Sequence, residues 1–247
     1  MIGETRIHLE VVDSTNRYAR DLIPSQPLEG SLITAERQTA GRGRLDRKWL
    51  SAPAQNILAS IILYPKREVE DWGGLPLLTG LGVCKAVRRV AGVDAHLKWP
   101  NDVLIENRKL CGILVETGRF GEMPWAVVGI GLNVNQLHFD DDYRLTPVSL
   151  ALEAGRTFDT DEVLSAVCKE LDQLYELWRV EGNPPILAEW RGATRMFGKT
   201  IVVEENGTKS ERRAIDLAED GALVTELPDG SVERLFAGDV LLPEEEE

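Results

Sequence analysis

The stretch AERQTAGRGRLDRKW, residues 35–49, sets Arg37, Arg42, Arg44, Arg47 and Lys48 against Glu36 and Asp46, a basic island in a chain of formal charge −13. Glycines at 41 and 43 permit backbone shapes that expose amide N–H groups and let a ligand come close. Arginines at 42 and 44 add planar, permanently charged forks that match carboxylate or phosphate oxygens. An Arg-Gly pair by itself would read as a solvated loop. With an apolar strand before it and Lys48-Trp49 behind it, the island reads as an anion clamp. KWPND at 98–102 joins a cation, an extended turn and a carboxylate. Lys98 could face phosphates, and Asp102 could accept from an adenine amino group or hold Mg²⁺. Alone, this motif would be an ordinary turn with a surface lysine. Lys109 opens the apolar run LCGILVE, where a lysine aimed into a sheet is costly unless an anion meets it, and a lysine snorkelling at the strand entrance is an equal alternative. In GIGLNVN, Gly129 and Gly131 interrupt a buried strand, as happens where a ligand or a second backbone passes close, and Asn133 offers amide hydrogen bonds at its end.

Other chemistries are excluded by what is absent. There is no GxxxxGK[ST] phosphate loop, and neither GRGRLD nor GIGLNV supplies the third glycine of GxGxxG. His8, His96 and His138 stand apart with no paired-ligand spacing, so no zinc site is expected. No GxSxG marks a serine nucleophile. Cys84, Cys111 and Cys168 are an odd number in apolar surroundings, which fits buried free thiols in a reducing cytoplasm.

The elements that must position these motifs follow from periodicity. The 247 residues, 43% hydrophobic, can bury a large core. IHLEVV, SLITAE and NILASIILY read as strands, the last buried on both faces. Asp13 or Ser14 caps a helix whose Tyr18 and Leu22 repeat at i, i+4. LPLLTGLGVCKAVRRV is helical. HLKWPNDVLIENRKLCGILVE reads as two strands joined through Glu106 and Asn107, and WAVVGIGLNVN as a third. The clearest helix follows Asp159, with Val163, Val167, Leu171, Leu174 and Trp178 in one stripe and Gly182 ending it. Past Arg191 the texture changes to short strands punctuated by Asn206-Gly207, Asp220-Gly221 and Asp229-Gly230. The expected class is α+β: a mixed sheet with helices over residues 1–191, then a small β-barrel over 192–247 ending in a solvated acidic tail. The opening lacks a signal-peptide pattern and no apolar run approaches membrane-spanning length, so a soluble protein without a membrane partner is expected.

Taken together, STN at 14–16, ERQTAGRGR at 36–44, KWPND at 98–102, KLCGILVE at 109–116 and GIGLNVN at 129–135 resemble the biotin protein ligases over essentially the whole chain. The resemblance implies a mixed, seven-stranded-type sheet with helices on one side, akin to class II aminoacyl-tRNA synthetases, and an SH3-like C-terminal barrel. It implies activation of biotin by MgATP to biotinyl-5′-AMP and transfer to a lysine of a biotin carboxyl carrier protein domain. Ser14, Thr15, Asn16, Gln38, Gly41, Arg42, Gly43, Arg44, Lys109 and Gly112 match biotin-binding positions. Arg44, Lys98, Asn101, Asp102, Gly131 and Asn133 match ATP-binding ones. Arg42, Lys109 and Asp102 are the catalytic candidates, with Asp102 also the candidate Mg²⁺ ligand and the group that would orient the incoming lysine. Setting a carboxylate about 4 Å from a phosphate charge costs on the order of 4 kcal/mol at an effective dielectric of 20, which gives the basic island its purpose.

Two departures stand out. The ligase strand begins within the first dozen residues, leaving no room for the helix-turn-helix domain some relatives carry, so no nucleic acid partner is expected. At TPVSL, 146–150, where some relatives place an adenine-stacking aromatic, Pro147 and Val148 cannot stack, and Phe139 or Tyr143 could substitute. The loop around 136–147 and residues 41–49 are expected to order around the adenylate. A lipoate or octanoate ligase on the same fold is the nearest competitor, and Gln38 with the STN turn favours biotin's polar ureido ring. Relatives often form a homodimer, and a strand such as 126–135 could pair across a two-fold axis.

Overall fold

The computed structural model describes residues 1–45, 47–139, 143–205, 207–236 and 238–242. Asp46 of the basic island, Asp140, Asp141 and Asp142 of the expected adenine loop, Asn206 of one predicted turn and the closing glutamates 244–247 lie outside the described residues. In chain order the elements are β1 (Arg6–Val12), α1 (Thr15–Leu22), β2 (Leu32–Gln38), β3 (Ile57–Leu63), α2 (Gly74–Ala91), β4 (Ala95–Lys98), β5 (Asp102–Ile105), β6 (Arg108–Phe120), β7 (Met123–Leu132), α3 (Leu150–Ala154), α4 (Thr160–Glu181), α5 (Asn183–Ala193), β8 (Thr200–Glu205), β9 (Thr208–Leu217), β10 (Leu223–Glu226), β11 (Val232–Leu235) and β12 (Asp239–Leu241).

The first seven strands form one sheet in the order β1-β2-β3-β7-β6-β5-β4, mixed because β1 and β2 run parallel while the other neighbours are antiparallel. Side chains alternate faces along a strand, so each strand serves two layers. On β3, Ile57, Ala59, Ile61 and Leu63 join Ala126, Val128, Ile130 and Leu132 of β7 in the core shared with α2, α4 and α5. The alternate positions Ile33, Ile62 and Val127 pack with Ala19 and Ile23 at α1. Helices therefore cover both faces, which corrects the one-sided arrangement expected from the resemblance. The short α1 covers only part of its face, and the site occupies the remainder.

Helix α4 forms as its sequence predicts. The Asp159 carboxylate accepts from the backbone N–H groups of Asp161 and Glu162, the whole predicted stripe is buried, and Gly182 ends the helix. The segment read as two strands is three. Trp99, Pro100 and Asn101 make a tight turn between β4 and β5, with a cis peptide before Pro100, and Glu106 and Asn107 turn β5 into β6. Pro100 thus shapes a reversal, not an extended approach.

Helix α5 continues to Ala193, so the division expected at 191 falls in its last turn, and residues 194–199 carry the chain into the second sheet. That sheet has the linear order β11-β10-β9-β8-β12. Its edge strands do not pair with each other among the described residues, so the expected barrel is an open five-stranded sheet. Asn183 ties the layers together: it accepts from Trp178 Nε1 at 2.7 Å and donates to the Glu219 carbonyl at 3.1 Å. Among the described residues no helix is long and apolar enough to cross a membrane.

His96, 3% exposed, has no hydrogen-bond partner at Nδ1 among the described residues. Burial first, and the neighbouring Arg195 second, hold its pKa down to about 4, from 6.5. A depressed folded-state pKa stabilises the fold above the unfolded value and loses that contribution as pH falls toward the folded one. The loss spans pH 6.5 to about 4 and amounts to about 3 kcal/mol at most. Urea unfolding across that window should therefore show a steeper loss of stability in the wild type than in His96→Gln. Parallel curves would remove His96 from the account.

Candidate functional site

The site is built on positions where the sheet has no side chains to offer. On the face shared with α1, the pairing register runs Lys98–Asp102–Gly112–Gly131–Leu58 across β4, β5, β6, β7 and β3, and the next row runs Leu114–Gly129–Ser60. Three glycines pave this floor. A methyl on Gly131 would lie 2.4 Å from the Trp49 ring, and one on Gly129 would lie 2.1 Å from Asn16 Oδ1. Both are impossible contacts, so the indole and the amide rest directly on backbone.

Along one side of the floor runs a chain of polar groups. Gln38 Oε1 accepts from the Thr15 backbone N–H at 2.7 Å and lies 3.1 Å from its hydroxyl. Ser60 Oγ is 2.8 Å from Thr15 Oγ1 and 2.7 Å from Asn16 Oδ1. Asn16 Nδ2 donates to the Leu114 carbonyl at 3.2 Å and to Glu116 Oε2 at 2.9 Å. Arg42 Nη1 stands 3.1 Å from Glu116 Oε1.

At the other side, Asp102 sits between two ammonium groups, Lys109 at 2.7 Å and Lys98 at 3.3 Å. Burial pulls Lys98 below its ordinary range against the attraction of Asp102. Burial alone would raise Asp102, but Lys109 and Lys98 outweigh it and hold the carboxyl below the usual range. Two cations and one anion leave this cluster short of one negative charge, which a ligand anion would supply. Lys109 also lies 5.7 Å from the Trp49 ring centroid, a cation–π distance. No group of three or more His, Cys, Asp or Glu able to hold a metal occurs among the described residues. Both oxygens of Asp102, the candidate Mg²⁺ ligand, face lysine ammonium groups.

The loop carrying the basic island folds back on itself: Gly43 N–H donates to the Arg47 carbonyl at 2.7 Å and Trp49 N–H to the Gly41 carbonyl at 2.9 Å. A methyl on Gly41 would lie 2.4 Å from the Trp49 carbonyl, so this closure requires glycine there. Arg44 donates to Asn101 Oδ1 at 3.1 Å and to the Gly238 carbonyl at 3.2 Å, and burial lowers its pKa against the opposing charge of Asp102. Arg47 and Arg144 both ion-pair with Asp239 of β12. Burial lowers the Arg47 pKa first, with repulsion from Arg144 next.

Nearly all the residues singled out from sequence line one cavity of about 130 Å³. Gly41 faces a wider opening beside it, and Asn133 lines a second cavity of about 140 Å³. The two cavities share Trp49, Lys98, Asp102 and Lys109. Asn133 donates to the Val148 carbonyl at 3.1 Å, while Thr146 and Val148 bond to the backbone of Lys109. Phe139 and Tyr143 stand edge to face, centroids 6.1 Å apart, in the second cavity. Sequence reasoning passed over Ser60, Glu116 and Asp239. Ser60 had a signal: it is the one aliphatic hydroxyl inside NILASIILY, and it is fully buried. Asp239, far along the chain in a different sheet, had none.

The sequence model of the Biotin/lipoate A/B protein ligase family matches residues 8–134. The chain belongs to that family. This ligase is 34% identical over 243 residues to the biotin–[acetyl-CoA-carboxylase] ligase of Mycobacterium tuberculosis, covering 94% of this chain and 88% of the relative. It is 30% identical over 250 residues to the bifunctional ligase/repressor BirA of Bacillus subtilis, covering 98% and 75% respectively. The biotin protein ligase of Aquifex aeolicus, solved in complex with biotin and ATP, superimposes with a TM-score of 0.84 at 28% identity, covering 97% of this ligase and 99% of that chain.

The glycine floor is testable through stability. Gly129→Ala should cost about 1–3 kcal/mol in urea unfolding because Asn16 must move. Gly192→Ala, in α5 with open space around it, should instead stabilise by up to about 1 kcal/mol. Equal effects would show that the close approach at Gly129 carries no cost.

Proposed function

We propose that this ligase activates biotin with MgATP to biotinyl-5′-AMP and passes the biotinyl group to a lysine of a biotin carboxyl carrier protein domain. The observation that carries this reading is the meeting of the two cavities at Lys98, Asp102 and Lys109. The first cavity has uncharged hydrogen-bonding groups at Thr15 and Gln38, suited to a neutral ureido ring, and cations at its other end. The second has arginine and lysine groups with Phe139 and Tyr143, suited to a nucleotide. A carboxylate in the first and an α-phosphate in the second would meet beside Lys109.

In the first step a biotin carboxylate oxygen forms a bond to the α-phosphorus and the bond to pyrophosphate breaks. Arg42 and Lys109 offset the repulsion between the two anions and the charge that develops on the phosphoryl oxygens. Mg²⁺ enters with ATP as part of the substrate. In the second step the neutral amine of the acceptor lysine attacks the acyl carbon, the C–N bond forms, AMP leaves with the bonding electron pair, and the nitrogen sheds a proton. The adenylate is already an activated acyl group, so no protein nucleophile is needed; position is what the site supplies. Asp102 orients the incoming amine. The setting we infer is the cytoplasm, and the three unpaired thiols suit a reducing compartment. Burial raises the Cys84 and Cys168 pKa values to about 11, which keeps both thiols protonated and unreactive.

ATP–pyrophosphate exchange with biotin, lipoate and octanoate in parallel tests the reading. Exchange should depend on biotin alone, and Arg42→Ala should lower it by about 100-fold or more. Exchange driven by lipoate or octanoate would keep the fold and overturn the substrate.

A further inference from the structure

Glu116 is a carboxylate on the site face of β6 that the scheme above does not use. Its side chain is 19% exposed and its two oxygens do different work. Oε1 faces Arg42 Nη1 at 3.1 Å, with Arg20 of α1 further off at 3.9 Å. Oε2 accepts from Asn16 Nδ2 at 2.9 Å.

Donor counting fixes what Asn16 can do. The Leu114 carbonyl and the Glu116 carboxylate can only accept, so the Asn16 NH₂ group must face them and both its protons are committed. Its Oδ1 is then left to Ser60 Oγ at 2.7 Å. Ser60, with one proton to give, must in turn accept from Thr15 Oγ1, which leaves Gln38 Oε1 held by the Thr15 backbone N–H. Asn16 is therefore a relay inside the protein, with no amide proton left for a ligand and one lone pair of Oδ1 still open. The relay ends at Glu116, and Glu116 is the partner that aims Arg42.

We propose that Glu116 is a positioning residue whose single carboxylate fixes two neighbours on the same side of the cavity, holding Arg42 through Oε1 and the Asn16 relay through Oε2. This rests on the biotin reading, under which Thr15 and Gln38 meet the ureido ring and Arg42 the carboxyl group. The two oxygens separate the two tasks. Gln at 116 keeps a carbonyl for Asn16 but offers Arg42 no charge; Ala removes both.

The test is biotin-dependent ATP–pyrophosphate exchange, measured as kcat and biotin KM, with urea unfolding as the control for folding. Glu116→Gln should lower kcat about tenfold or more and leave biotin KM within about twofold. Glu116→Ala should add a rise of about tenfold in biotin KM. The double variant Arg42→Ala/Glu116→Gln should be no slower than Arg42→Ala, because the charge acts only through Arg42. Should Glu116→Ala fail to fold, Glu116→Gln and the double variant decide the matter. The proposal is overturned if Gln and Ala shift the same parameter equally, or if the Gln and Arg42→Ala effects multiply. Failure of the biotin reading shows separately, as a wild-type protein that exchanges with a different acid.

Discussion

The structure depends on the two-residue period of its central sheet. A strand sends alternate side chains to opposite faces, so β3 and β7 can seal a helix-covered core with one set of positions and leave the other set to chemistry. Where the second set is glycine, the backbone itself becomes a surface, and Trp49 lies on it. Any one-residue slip in register would turn Ile130 and Leu132 into the site and bury glycines where α2 and α4 need apolar volume. The close packing of the core therefore also fixes the register of the site.

Electrostatics supplies the second layer of organisation. The chain is strongly acidic, yet its cations converge at the open side of the site face. Lys98 and Lys109 share Asp102, Arg42 meets Glu116, and Arg47 and Arg144 share Asp239. Lys98 and Lys109 outnumber the carboxylate between them, whereas Arg42 is matched by Glu116 and Arg144 reaches Glu204 as well as Asp239. A ligand carrying several negative charges is attracted to the assembly as a whole, while the rest of the surface repels it.

Much of this was legible in the sequence. The capped, striped helix α4 and the apolar strands follow from local periodicity, and the short motifs name most of the residues that line the cavities. What the sequence left out has a common physical cause. Whether α1 shares a face with α2, whether the last strands close, and which carboxylate faces Arg47 are decided by pairings between distant segments, to which no local pattern points. The turn at Trp99–Asn101 was hidden differently: the strands on either side of it are four residues each, too short to show an alternation of their own. Glu116 was visible as part of a motif, but its task depends on Asn16, a hundred positions earlier.

The contact between Arg47 and Asp239 spans 192 positions in the chain. Synthesis runs from the first residue to the last, so the basic loop emerges long before the carboxylate that gathers Arg47 and Arg144. Until β12 arrives, those guanidinium groups repel each other and Arg44 has no Gly238 carbonyl to hold. The loop can take its final shape only as the second sheet docks. A chain still lacking β12 can therefore hold the glycine floor and the Lys98–Asp102–Lys109 cluster, but not the arginine contacts that close over them.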